Sequence, residues 1–149
     1  MRTFTTNMYT QEAFGHPALC RILDANLDRA REGLRVIEEW CRFGLNNTLL
    51  TAKCKQLRQE LAYWHSSDLR VARNTPQDPG TSLSHAQEEH RSSIHAVLQS
   101  NFSRVEEALR ALEEYGKLYK PGMGEAFKQM RYQVYTLESN LLVQQRYQK

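Results

Sequence analysis

The chain has 149 residues, 20 Lys+Arg against 17 Asp+Glu for a formal net charge of +3, and 40% hydrophobic residues. That length suits one domain with a real core, the composition is too apolar for a disordered chain, and the longest apolar run, Leu61 to Trp64, is only four residues and cannot span a bilayer. So small a charge points to neither nucleic acid nor an anionic membrane as partner, and the lack of an apolar leader between Met1 and Gly15 predicts a cytoplasmic protein.

Gly and Pro are sparse and fall where helices should start or stop. Residues 1–16 read as a tail. Pro17 can open a helix at its first turn, where its missing N–H costs nothing, and Gly44 fits the end of that helix. Within it Leu23, Leu27, Ala30, Leu34, Ile37 and Cys41 step by 4, 3, 4, 3, 4. At 100° per residue they stay within about 40° of one line, a bundle-packing seam. Asn46 and Asn47 form a turn before a second helix, about residues 48 to 65. Residues 66–83 hold two prolines, a glycine and many turn formers, and read as one long connecting loop of the length that often carries function. Ser84 with Gln87 is a capping-box signal for a third helix running to about Lys117. Gly116, Pro121, Gly122 and Gly124 mark its end, and a fourth helix covers about 124 to 146. No stretch alternates with period two, so no strand is predicted.

Cysteine and histidine offer no metal framework. Cys20, Cys41 and Cys54 are odd in number, without a C-x-x-C, and read as small hydrophobes in a reducing compartment. His85, His90 and His95 are spaced by five, which puts them on different helix faces.

The strongest internal signal is a duplication. Residues 22–43 align with 97–118 at an offset of 75, with eight of 22 positions identical: Leu23/Leu98, Asn26/Asn101, Arg29/Arg104, Glu32/Glu107, Leu34/Leu109, Arg35/Arg110, Glu38/Glu113 and Glu39/Glu114. The seam recurs as Leu98, Phe102, Val105, Leu109, Leu112 and Gly116. Lys55-Gln56-Leu57-Arg58 then matches Lys128-Gln129-Met130-Arg131. The expected architecture is an all-α four-helix bundle of two similar helical hairpins, about 17–65 and 84–146, with an approximate internal two-fold and the 66–83 loop between them. Six of the eight identities are polar, whereas a repeat kept for packing alone would retain its leucines first. Relative to the seam, Asn26 and Glu38 sit about 60° away, Arg29 and Arg35 about 120° away on opposite flanks, and Glu32 and Glu39 near the back. Ordinary i,i+4 ion pairing accounts equally well for Arg35 with Glu39.

Phosphate chemistry fits the basic residues. Fourteen of the 20 are Arg, the better bidentate phosphate ligand. Arg29/Arg104, Arg35/Arg110 and Arg58/Arg131 recur in both halves, and Arg70 and Arg73 lead into the loop. Neither a P-loop nor a G-x-G-x-x-G motif is present; Gly122-Met123-Gly124 is only a fragment.

Residues 21–39 with Arg42-Phe43, Gln56-Leu57-Arg58, Asp78-Pro79-Gly80-Thr81 and residues 101–114 together resemble the small helical domain fused to the N-terminus of some bacterial, cyanobacterial-type thiamine-phosphate synthases. The resemblance covers most of residues 18–140. Members of that domain family, fused or standalone, are hydroxymethylpyrimidine-phosphate kinases that use ATP. It implies phosphorylation of the pyrimidine monophosphate to the diphosphate, with ATP and the pyrimidine phosphate as small-molecule partners and Mg²⁺ as cofactor. Arg29, Arg35, Arg104 and Arg110 would bind phosphate, with Arg58, Arg73, Gly80 and Thr81 as further binding candidates. Asn26 and Asn101 would orient pyrimidine or phosphate, Asp78 would hold magnesium, and Glu39 and Glu114 would hold arginines or a metal. Where related domains carry Asp after the loop arginine, this chain has Asn74. The fused synthase is a TIM barrel needing about 200 or more residues, so synthase activity is not expected within 149; the run from Tyr135 to Lys149 resembles the boundary where such a barrel would begin. The alternative reading is a non-catalytic assembly or regulatory module of the synthase. Exposed seam residues would let two copies pair as a homodimer.

Overall fold

A computed structural model describes residues 16–146, so the expected tail lies outside the described residues except for His16. The fold is all-α, and no strand occurs among the described residues. Four long helices carry it: α1 (Pro17–Glu39), α2 (Thr48–Trp64), α5 (Ile94–Gly116) and α6 (Met123–Arg146), with two short helices between the halves, α3 (Ser67–Val71) and α4 (Ala86–Glu89). No helix is long and apolar enough to cross a membrane among these residues.

Helix α1 begins where expected. Pro17 occupies its first turn and His16 Nδ1 accepts a hydrogen bond from the Ala18 N–H at 3.1 Å. Its end is a π-helical turn, Trp40–Gly44, in which the Leu45 N–H bonds the Trp40 carbonyl at 2.9 Å. Gly44 is required there: a Cβ would lie 2.3 Å from the Trp40 ring. Asn46 takes a left-handed conformation (φ 50°), which Asn tolerates, and Asn47 caps α2 by accepting from the Leu50 N–H at 2.9 Å.

Both seams are the core. Every member of the α1 seam is fully buried, and Leu98, Phe102, Val105, Leu109 and Leu112 are at most 3% exposed. Helix α1 packs on α5 along them, α2 packs on α1 and α6 on α5. The two central helices approach closely at Gly33, where a Cβ would lie 2.6 Å from Val105 Cγ2 and 3.2 Å from the Asn101 carbonyl oxygen. Trp64 tilted against Phe127 and a bond from Lys53 Nζ to Gln133 Oε1 (2.9 Å) join α2 to α6.

Equivalent residues of the two halves make the same bonds. Arg58 donates to buried Glu38 Oε2 at 2.7 Å, and Arg131 donates to buried Glu113 Oε2 at 2.9 Å. Asn26 Nδ2 donates to the Ile22 carbonyl and Asn101 Nδ2 to the Val97 carbonyl, each at 2.8 Å.

Two expectations need correction. The third long helix starts at Ile94, capped by Ser93, whose Oγ accepts from the Ala96 N–H at 3.0 Å. The signal at Ser84 yields only the single turn of α4, because Ser84-His85-Ala86-Gln87-Glu88-Glu89-His90 contains no large apolar side chain to dock a longer helix on the core. The connecting segment is also more structured than a loop. It contains α3 and a 3₁₀ turn (Thr75–Gln77), and Leu69 pins it to the core with no exposed surface.

Candidate functional site

Two adjoining cavities of about 600 and 670 Å³ lie beside α1, and Asn26 and Arg29 line both. The first sits between α1 and α5. Arg29 and Arg104, a matched pair in the duplication, face it with Ser100 and Ser103. Its charged lining is those two arginines against one glutamate, Glu107. Together with serine hydroxyls that is an anion-binding composition. Asn26 reaches the margin of this cavity as a buried residue, and its bond to Ile22 uses one of its four amide hydrogen-bonding positions.

The second cavity lies between α1 and the connecting segment. Arg73, Asp78 and Thr81 of that segment meet Asp24, Asp28 and Arg29 of α1 there. Three arginines (21, 29 and 73) face four carboxylates (Asp24, Asp28, Glu32 and Asp78), so this cavity is balanced to acidic. Asp78 Oδ1 accepts from the Gly80 N–H at 2.8 Å, and Thr81 Oγ1 donates to the Asp78 carbonyl at 3.0 Å. This Asx turn folds the Asp78-Pro79-Gly80-Thr81 loop toward α1.

A compact ionic network closes the inner wall of that cavity. Arg73 Nε donates to Asp24 Oδ2 at 2.7 Å, and its terminal nitrogen also contacts Asp28 Oδ2. His65, from the end of α2, is buried with Nε2 2.7 Å from Asp24 Oδ1. Burial pushes the Asp24 carboxyl up, but the hydrogen bonds and charges of Arg73 and His65 outweigh it and hold the group below the usual carboxylate range. Asp24 therefore stays ionised, and the Asp24 carboxylate holds the Arg73 guanidinium firmly charged.

The structure thus brings Asn26, Arg29 and Arg104 together at one cavity, and Asn26, Arg29, Arg73, Asp78 and Thr81 at the other, with Gly80 in the same turn. The remaining candidates stand elsewhere. Arg35 pairs with Glu39 at 2.9 Å and Arg110 with Glu114 at 3.3 Å, all on the surface and lining neither cavity. Arg58 is committed to buried Glu38. Asn101 is half-buried and bonded to its own helix. The cysteines are free thiols, Cys41 and Cys54 buried and Cys20 half-buried, and His85, His90 and His95 are exposed. Trp40 and Trp64 pack at the core margin, while Tyr63 is exposed.

Sequence reasoning passed over Asp24, Asp28 and His65. The spacing of Asp24 and Asp28 by four was a readable sign of two carboxylates on one helix face. The 41-residue separation of His65 from Asp24 left no local signal.

The chain is 68% identical over 140 residues to a thiamine-phosphate synthase of Nostoc punctiforme, covering 94% of this chain and 40% of that protein. It is 66% identical over 125 residues to the thiamine-phosphate synthase of a Synechocystis species, covering 84% of this chain and 36% of that one. The chain therefore spans well under half the length of these relatives. No solved structure matches it. The ThiD2 family matches residues 21–140, which take in the first cavity and all of the second but Ala18, and the chain belongs to that family.

Proposed function

We propose that this chain acts in thiamine biosynthesis as the N-terminal helical domain of a thiamine-phosphate synthase, an accessory module to the barrel that carries out the synthase reaction. The observation that carries this reading is the alignment, which takes in 94% of this chain and only 40% of the Nostoc punctiforme protein. Within the synthase the module would present the anion-binding groove of Arg29 and Arg104 to phosphorylated intermediates. It would work in the cytoplasm beside the barrel.

The chemistry of the groove favours a second reading, phosphoryl transfer from ATP to hydroxymethylpyrimidine phosphate. The acceptor is a phosphate monoester, already anionic near neutral pH. An oxygen of that phosphate attacks the γ-phosphorus, the bond to the β-phosphate oxygen breaks, and ADP leaves with the bonding pair. No side chain has to remove a proton. The difficulty is bringing two polyanions together, which calls for arginines, a divalent cation and alignment. Arg29 and Arg104 flank the first cavity and would neutralise the acceptor phosphate there. Asn26 would orient it between the two cavities. Bound Mg²⁺ would offset charge on the ATP phosphates, and Asp78, whose turn uses only Oδ1, is the carboxylate in the second cavity suited to hold it. Glu39 and Glu114, both ion-paired outside the cavities, would keep Arg35 and Arg110 in place.

An ADP-release assay on this chain with Mg-ATP and hydroxymethylpyrimidine phosphate, with products identified by mass, separates the readings. Formation of the diphosphate supports the kinase. Absence of turnover and of ATP binding by calorimetry leaves the accessory module. If turnover occurs and survives replacement of both Arg29 and Arg104 by Ala, the groove is the wrong site.

A further inference from the structure

We infer that Asp28 and His65 bind a divalent first-row transition cation at the inner wall of the second cavity, with Asp24 orienting the imidazole. This site stands apart from the Asp78 position and does not depend on whether the groove binds ATP.

The imidazole of His65 has no exposed surface, and Nε2 lies 2.7 Å from Asp24 Oδ1. Arg73 donates to both oxygens of Asp24, at 2.7 and 2.8 Å, as it would to a carboxylate, so Oδ1 accepts from the imidazole as well and Nε2 carries the proton. In the neutral ring Nδ1 is then a lone pair. It is buried, finds no hydrogen-bond partner among the described residues, and faces Asp28 Oδ1 at 3.7 Å. A buried lone pair facing a half-exposed carboxylate oxygen is a place for an electrophile between them.

The spacing fits a metal ion. Ligands about 2.1 Å from a shared cation and 3.7 Å apart subtend roughly 120° at it, within the range of low-coordinate sites. Ligand atoms of Asp24, Asp28 and His65 all lie within 4.8 Å of one another. Asp24 on the far ring nitrogen reproduces the carboxylate–histidine–metal arrangement that fixes the tautomer of a ligating histidine. Arg73 engages Oδ2 of Asp28 and leaves Oδ1 to the cation. Asp28 lines the second cavity, so further coordination positions open into it for water or a phosphate oxygen. One imidazole among oxygen ligands favours Mn²⁺, Co²⁺ or Zn²⁺ over Mg²⁺ or Ca²⁺.

The test titrates the full chain with Mn²⁺ while following histidine ring signals by NMR. His65 is expected to broaden at substoichiometric Mn²⁺, before the exposed His16, His85, His90 and His95. Asp28→Asn, at a half-exposed position where folding should be undisturbed, is expected to weaken Mn²⁺ binding at least tenfold, and Asp24→Asn about tenfold. His65→Gln, checked for folding by circular dichroism, should abolish it. Broadening confined to the exposed histidines overturns the site. So does displacement by equimolar Mg²⁺, which would mean oxygen ligands alone. A ring doubly protonated from pH 6 to 8 regardless of added Mn²⁺ also overturns it, since a proton then bridges Nδ1 to Asp28.

Discussion

Replacing Arg58 by Met leaves the Glu38 carboxylate stranded at the junction of α1 and α2. Glu38 is 2% exposed, Arg58 Nη2 donates to its Oε2 at 2.7 Å, and Arg35 is a distant second partner at 3.6 Å. Its other oxygen, Oε1, already lacks a partner among the described residues. Removing one member of a buried pair costs about 3–5 kcal/mol, because the remaining charge stays desolvated. Arg58 is 22% exposed and water can reach part of the gap, which places the expected loss near the lower end, about 3 kcal/mol. For a chain of this size that is a fall in Tm of roughly 6–12 °C. Urea unfolding followed by circular dichroism at pH 7 measures it. The double variant with Glu38→Leu should recover much of the loss, since both partners are then apolar. The same pattern is expected at Arg131 and Glu113, where the exposures are 12% and 8%. A single Arg58→Met variant within about 0.5 kcal/mol of the parent would refute the reasoning, because surface substitutions lie in that range. It would also free Arg58 for a phosphate role that its bond to Glu38 now opposes.

Three other outcomes follow from the same contacts. Gly33→Ala should destabilise by about 1–2 kcal/mol despite alanine's higher helix propensity, because its Cβ would meet Val105 Cγ2 at 2.6 Å; adding Val105→Ala should relieve that contact but not the 3.2 Å approach to the Asn101 carbonyl oxygen, so the two changes should be non-additive in thermal melts of the single and double variants. Burial, then the hydrogen bond and charge of Glu138, then Glu107 raise Glu106 to about 8. A carboxyl raised above its unfolded value of about 4.3 is stabilising while protonated, so its contribution is full below about pH 4.3 and is lost as pH rises toward 8. Glu106→Gln should therefore flatten the pH dependence between 5 and 8, by about 1 kcal/mol once solvent screening of this half-buried group is allowed for, as read by denaturant midpoints across that range. Arg29→Ala and Arg104→Ala should each weaken binding of a pyrimidine phosphate by roughly tenfold with little change in stability; Arg110→Ala, whose partners are Glu114 at 3.3 Å and, more distantly, Glu113 at 3.6 Å and which lines neither cavity, should leave calorimetric affinity unchanged.

Much of the fold was legible in the linear pattern. Six α1 seam positions at steps of three and four, and their copies 75 residues on, are the buried faces, because helical periodicity alone decides which side of an amphipathic helix leaves water. Pro17, Asn47 and the glycine-rich stretch after Gly116 punctuate the helices through local backbone chemistry, which nearest neighbours determine. The Ser84 signal misled because a cap cannot sustain a helix with no apolar face to dock, and that depends on what lies across the core.

The site divides along the same line. The repeat singled out Arg29 and Arg104, but it singled out Arg35 and Arg110 equally, and only the packing of α1 against α5 turned one pair into a cavity and left the other on the surface. Tertiary structure alone joined Arg73 and His65 to Asp24 across separations of 49 and 41 residues. Spacing within one helix is set by local geometry, whereas the meeting of side chains so far apart is set by how whole helices bury their seams.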